Sequence, residues 1–195
     1  MTFKDLGLSA PILKAIEKKG YTEPSPIQGK AIPEVLKGKD VLGIAPTGSG
    51  KTAAYALPIL QKLKGKTETK NRHINVLVLV PTRELAGQVK DVFESFAQDL
   101  PFRTKTMAVY GGVSINPQMI NMQHVNILVA TPGRLLELAD SNAMHFDDLS
   151  TLVLDEADKM LNMGFKKEMD RVFSLLPARR QNLLFSATLS PDVQA

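Results

Sequence analysis

The chain contains no cysteine, so neither a disulfide framework nor a thiolate metal centre is open to it. Tryptophan is also missing, and aromatic residues make up only 6% of the 195 positions. Long hydrophobic runs are absent: the longest aliphatic stretch, 76–80, falls far short of the roughly 20 apolar residues that a spanning helix requires. The start of the chain, Met1-Thr2-Phe3-Lys4-Asp5, lacks the charged-then-apolar order of an export signal. The three histidines, His73, His124 and His145, lie far apart in sequence without ligand spacing, and are expected in loops or on faces rather than around a metal. There are no internal repeats and no convincing linker. Together these absences lead us to expect a soluble, cytoplasmic monomer with no membrane contact.

What is present is an ordinary globular composition, 44% hydrophobic and 23% charged, enough for one domain with a sizeable core. The formal net charge is +4, which invites a polyanion partner. Yet Lys62, Lys64, Lys66, Lys70 and Arg72, set against Glu68, already supply that +4, and the rest of the chain balances to zero. This stretch reads as a solvated loop between elements, so overall basicity is weak evidence for nucleic acid.

After residue 40, aliphatic strand-like runs at 41–44, 76–80, 105–109, 127–130, 152–154 and 183–185 alternate with helix-forming segments at 52–63, 84–96, 115–122, 135–139 and 167–176. Runs so apolar suit strands covered on both faces, and the alternation predicts an α/β fold: a mostly parallel sheet with helices on both sides. Ser9 and Pro11 open one earlier helix, and Ser25 with Pro26 opens another reaching about Leu36. Ligands of such sheets gather at the carboxyl ends of the strands, and each chemically suggestive segment here follows a strand.

The first of these segments is Ala45-Pro46-Thr47-Gly48-Ser49-Gly50-Lys51-Thr52, between a short strand and a helix. Its glycines let backbone N–H groups turn around an anion, Lys51 can reach outer phosphates, and the Thr52 hydroxyl suits a magnesium ion. One position departs from the usual pattern, which starts with glycine where this chain has Ala45. The second segment, Asp155-Glu156-Ala157-Asp158, follows the strand 152–154. A carboxylate at a strand end can hold magnesium beside Thr52, and the next can orient a water for attack on the terminal phosphate; we assign Asp155 the metal and Glu156 the water. Lys51, Asp155 and Glu156 are thus the candidate catalytic set.

Further segments are weaker when read alone. Ser186-Ala187-Thr188 ends the last strand with two hydroxyls that can bond Asp158 or simply cap. Pro81, Thr82 and Arg83, then Gly111 and Gly112, then Thr131, Pro132, Gly133 and Arg134 offer hydroxyl, amide and guanidinium donors of the kind that grip sugar–phosphate. Each also reads as caps and turns.

In combination and order, these segments resemble the N-terminal RecA-like domain of a DEAD-box RNA helicase, over essentially all of residues 1–195. Residues 155–158 spell that family's tetrad, 45–52 match its motif I with alanine first, and 186–188 match motif III. Pro81 to Ala86 match motif Ia, Gly111 and Gly112 the double glycine, and Thr131 to Arg134 motif Ib. The run from Gly20 to Gln28 resembles the family's Q motif.

The resemblance implies a RecA-like P-loop NTPase fold, ATP and Mg²⁺ as cofactors, and RNA gripped through its backbone with little sequence preference. It implies that Gln28 selects adenine, that Tyr21 packs against the base and that Phe3 supports the same pocket. It further implies that Asp158, Ser186 and Thr188 couple the nucleotide to closure against a second RecA-like domain, which is absent from these 195 residues. An arginine supplied by that domain stabilises the transition state by roughly 10³ to 10⁵ in rate, so the expectation is nucleotide binding with little hydrolysis by this piece alone. Two rival readings remain: a DNA-directed or other P-loop ATPase, and a non-catalytic binding module.

Overall fold

The computed structural model describes residues 1–65 and 71–189. In chain order the elements are a 3-10 turn at Phe3–Leu6, α1 (Ala10–Lys18), α2 (Pro26–Leu36), β1 (Val41–Ile44), α3 (Lys51–Lys62), β2 (Val76–Leu79), α4 (Arg83–Ala97) and β3 (Thr106–Val109). They continue with α5 (Ile115–Ile120), β4 (Ile127–Ala130), α6 (Pro132–Asp140), β5 (Thr151–Asp155), α7 (Ala157–Asn162), α8 (Lys166–Leu175) and β6 (Gln181–Ser186). Among the described residues the strands form one sheet in the order β1-β6-β5-β2-β4-β3, every neighbouring pair parallel.

Burial explains why these runs become strands. All four residues of β2 are buried, because a parallel strand in a covered sheet must be apolar on both faces. Alternate side chains of β2 and of Val80 just after it divide: Val76, Val78 and Val80 enter one core layer with α1 to α4, while Leu77 and Leu79 enter a second with α6, α7 and α8. The layers differ in chemistry. Tyr55, Phe93, Phe96 and Phe185 fill the first, whereas Met107, Met122, Met144, Met160 and Met169 sit in the second.

Local chemistry sets the ends that position the site. Ser25 and Gln28 form a reciprocal capping box at the start of α2, with Pro26 as its first residue. Thr82 caps α4 by accepting from the Leu85 N–H at 3.2 Å. In β1, glycine at position 43 is a packing necessity, since a Cβ there would lie 2.6 Å from the Phe185 ring of β6.

Several expectations need correcting. Lys62 lies in the last turn of α3, not in a solvated loop, and its Nζ donates to Gln181 Oε1 at 2.7 Å and to the Val35 carbonyl. Lys66, Glu68 and Lys70 of that stretch lie outside the described residues. His73 and His145 are distant in sequence but neighbours in space, with ring centroids 5.0 Å apart, because the approaches to β2 and β5 meet in a parallel bridge. The six-residue α7 was not expected, and α6 begins at Pro132 rather than 135, proline again occupying the first helical turn.

Candidate active site

The loop after β1 turns through two left-handed glycines, Gly48 at φ 81° and Gly50 at φ 86°. They do different work. A Cβ on Gly48 would meet open space, leaving the inside of the turn free for a ligand, whereas one on Gly50 would lie 2.5 Å from Gln28 Nε2. Ala45 has no positive φ, so the glycine usual at that position is not required here; its N–H donates to the Ser186 carbonyl at 3.1 Å and anchors the loop to β6. The loop delivers the chain into α3 at Lys51, whose side chain is buried, and leaves the buried Ser49 hydroxyl without a partner. Backbone donors at a helix start, a buried cation and an unsatisfied hydroxyl form an anion cradle.

A cleft of about 340 Å³ brings together residues from four elements. Its walls include Thr47, Gly48, Gly50, Lys51 and Thr52 of the loop, Gln28 of α2, Tyr21 ahead of it, and Asp155 and Glu156 at the end of β5. Convergence of the glycine turn with those two acids is the geometry on which phosphate chemistry depends. Ala45 and Pro46 stand at the loop's base, outside this wall. Phe3 is buried one groove away, in a hollow that shares Tyr21 with the cleft.

Asp155 is 4% exposed, and burial pushes its carboxyl above the ordinary 3.8. A 2.7 Å hydrogen bond donated by the Tyr55 hydroxyl and the charge of Lys51 act in the opposite direction. Tyr55 itself is wholly buried, and desolvation followed by the Asp155 charge pushes its phenol well above 10, so it remains a donor. A buried carboxyl that shares the cleft with the Thr52 hydroxyl offers oxygen donors of the kind a hard cation takes. Magnesium sites commonly use one or two protein carboxylates completed by phosphate, and among the described residues no larger acid or histidine cluster is arranged for a metal.

Glu156 adopts a left-handed backbone at φ 56°, rare for a residue with a Cβ, and precedes α7 without a side-chain capping bond to it. Its Oε2 lies 3.2 Å from Lys159 Nζ. Two residues on, Asp158 Oδ2 accepts from the Thr188 hydroxyl at 3.2 Å, while Asp158 Oδ1 and the Ser186 hydroxyl are buried without partners. The second acid segment and the end of β6 are therefore in direct contact.

Gln28 is buried, its Oε1 accepting from the Ser25 N–H at 2.9 Å and its Nε2 donating to the Gly50 carbonyl at 3.2 Å. The remaining segments line the ends of β2, β3 and β4. Pro81 is buried, Thr82 caps α4, and Arg83 is exposed with its guanidinium 5.2 Å from the centre of the Tyr110 ring. Gly111 is exposed and Gly112 turns at φ 82°. Thr131 precedes α6, Pro132 is buried and Gly133 exposed at its start, and Arg134 turns inward rather than outward.

Two participants escaped the sequence reading. Tyr55 stands one helical turn beyond Lys51, a spacing that signals a shared helix face. Gln118, bonded to Arg134 and to the Tyr110 carbonyl, carries no sequence signal.

A model of the DEAD/DEAH box helicase family matches residues 25–195. The chain belongs to that family. Similar DEAD/DEAH box relatives include an ATP-dependent RNA helicase CshA of Limosilactobacillus reuteri, 46% identical over all of this chain and 38% of its own length. ATP-dependent RNA helicase DeaD of Escherichia coli K12 is 46% identical over 99% of this chain and 30% of its own, and a probable ATP-dependent RNA helicase, ddx27 of Dictyostelium discoideum, is also 46% identical over 99%, but over only 24% of its length. A crystal structure of a DEAD box protein from the hyperthermophile Methanococcus jannaschii superposes with a TM-score of 0.90 at 38% identity, covering all of this chain and 52% of that one. The chain thus spans about half or less of the length of these relatives, and carries the all-parallel RecA-like sheet of the family.

Proposed function

We propose that this chain is the nucleotide-binding part of an RNA-dependent ATPase that couples ATP hydrolysis to local opening of RNA duplexes. The observation carrying this reading is the single cleft that joins Gly48, Gly50, Lys51 and Thr52 to Asp155 and Glu156. Lys51 and the turned backbone hold the outer phosphates, and Glu156 orients the attacking water and accepts its proton. Thr52 and Asp155 would hold Mg²⁺, which when bound neutralises charge on the phosphate oxygens.

Gln28 sets the base. Its carboxamide has two hydrogens and two lone pairs, of which Gly50 and Ser25 take one each. The remaining hydrogen and lone pair match N7 and the N6 amine of adenine; guanine also offers an acceptor at N7 but sets its O6, a second acceptor, against the Gln28 oxygen. Tyr21, 48% exposed at the cleft rim, packs against the base.

RNA lies along the ends of β2, β3 and β4, gripped through its backbone by Thr82, Arg83, the Gly111-Gly112 turn and the start of α6. Asp158, Ser186 and Thr188 transmit nucleotide state to closure against a second RecA-like domain, which also supplies the arginine for turnover. The intact protein works as a cytoplasmic monomer. The test is phosphate release by the intact protein with single-stranded RNA, with DNA and with neither. Stimulation by RNA alone is expected; equal stimulation by DNA would overturn the RNA assignment in favour of a general nucleic-acid ATPase.

A further inference from the structure

The segments assigned to RNA backbone leave three different strands, and nothing in their sequences says how they keep a fixed spacing. The structure contains a buried connection between them. Gln118 of α5 is 8% exposed; its Nε2 donates to the Tyr110 carbonyl at 3.2 Å, just before the Gly111-Gly112 turn. Its Oε1 accepts at 2.9 Å from Arg134 Nη1 of α6. Arg134, also 8% exposed, donates from Nη2 to the Val113 carbonyl at 2.9 Å, just after the turn, and its Nε lies 3.2 Å from Glu137 Oε2. The double-glycine turn is therefore gripped on both sides. On its outer side the Tyr110 ring carries the Arg83 guanidinium, and a Cβ on Gly112 would sit 3.7 Å from Arg83 Nη1.

We propose that Gln118, Arg134 and Tyr110 are positioning residues that assemble Arg83, the Gly111-Gly112 turn and the start of α6 into one preformed surface for a phosphodiester backbone. Arg134 acts from inside, through Gln118 and Val113, without touching a phosphate. The inference rests on the RNA reading above. Its physical basis is the contrast between the two arginines. Arg134 is buried and directs one N–H of each terminal nitrogen at a carboxamide oxygen and a carbonyl, with Glu137 beside its Nε, so its fork is aimed inward. Arg83 is restrained by its cation–π contact with the Tyr110 ring, which holds the guanidinium without consuming its N–H groups, so they remain available to an anion. Fixing such groups before binding lowers the ordering required when the ligand arrives.

The test measures single-stranded RNA binding to the intact protein by fluorescence anisotropy with a non-hydrolysable ATP analogue, over a range of salt. Gln118→Leu and Tyr110→Leu should weaken RNA binding by about three- to tenfold, in line with loss of a stacked cation or of a hydrogen bond to a charged group. Affinity for the analogue without RNA should not change. Tyr110→Phe should bind RNA as the parent does, because the ring and not the hydroxyl carries Arg83. The salt dependence separates positioning from contact: Arg83→Ala should reduce the slope of log K against log salt by about one, whereas Gln118→Leu and Arg134→Gln should weaken binding with the slope intact. An Arg134→Gln slope reduced like that of Arg83→Ala would make Arg134 a phosphate ligand and overturn the proposal. Parent-like RNA binding by Gln118→Leu and Tyr110→Leu, with Arg83→Ala impaired, would overturn it while leaving the RNA reading intact. Parent-like binding by Arg83→Ala as well would sink the RNA reading itself. Should Gln118→Leu fail to fold, the comparison of Tyr110→Leu with Tyr110→Phe at a half-buried site decides the matter.

Discussion

The Tyr55 hydroxyl and the Asp155 carboxylate, 100 residues apart in sequence, meet inside the protein in a 2.7 Å hydrogen bond. It joins the helix that follows the glycine turn to the strand that ends in the acids, so the two sides of the cleft are tied together. Tyr55→Phe leaves Asp155 Oδ2 buried without this donor. The expected loss is about 1–3 kcal/mol of stability, read from urea unfolding, together with weaker magnesium-dependent nucleotide binding. An unaltered unfolding midpoint would show that the bond contributes nothing net.

Asp155 also predicts a pH effect. Burial holds its carboxyl above 3.8, so the folded protein retains a proton where the unfolded chain has released it. Stability therefore falls as pH rises from 3.8 through the folded value, and the deficit persists at higher pH. Asp155→Asn removes the ionisation while keeping an acceptor for Tyr55. Without nucleotide it should melt above the parent at neutral pH, the gap closing below about pH 4, and it should lose magnesium-dependent nucleotide binding. Calorimetric scans across this range decide it; a variant less stable at pH 7 would contradict the account.

Lys51 and Glu156 should separate binding from turnover. Lys51→Ala removes a charge-assisted contact to phosphate and should weaken nucleotide binding by about 10- to 100-fold. Glu156→Gln should bind nucleotide normally, while RNA-stimulated phosphate release by the intact protein drops by about 10²- to 10⁴-fold. Fluorescent-nucleotide titration alongside phosphate release measures both. Near-parent turnover in each would favour a non-catalytic binding module.

The two left-handed glycines should fail differently. Gly50→Ala combines an unfavourable φ with a collision against Gln28 Nε2, and thermal melts should show it destabilised by more than the roughly 1–2 kcal/mol expected from backbone strain alone. Gly48→Ala meets only open space and should stay near that strain value, its main defect appearing in nucleotide titrations because the methyl enters the cradle. Equal destabilisation would mean that the Gln28 contact yields freely.

What was legible in the sequence is what local chemistry dictates. The bounds of β1 and β4 coincide with the aliphatic runs at 41–44 and 127–130, and the phosphate turn shows itself because anion binding demands consecutive residues of fixed type. Tyr55 and Gln118 stayed hidden because their partners are brought by the fold, not by spacing. Lys62 misled for a related reason. Lysine among lysines reads as solvent-facing, but its amine finds Gln181, 119 positions away. Arg134 looked like a phosphate donor from composition, and only the tertiary path of its guanidinium shows it directed inward.

The uneven chemistry of the two core layers has a consequence for how the molecule ages. With no thiol to intercept peroxide, methionine is the principal sulfur target, and all of the buried methionines lie on the side of the sheet shared by α6, α7 and α8. Converting even one of these thioethers to its sulfoxide inserts a polar group among leucines, whereas the opposite layer, under the phosphate loop, has aromatic rings and aliphatic chains instead. Oxidative wear would therefore loosen the footing of Arg134 and α7 while the floor beneath the glycine turn stayed sound.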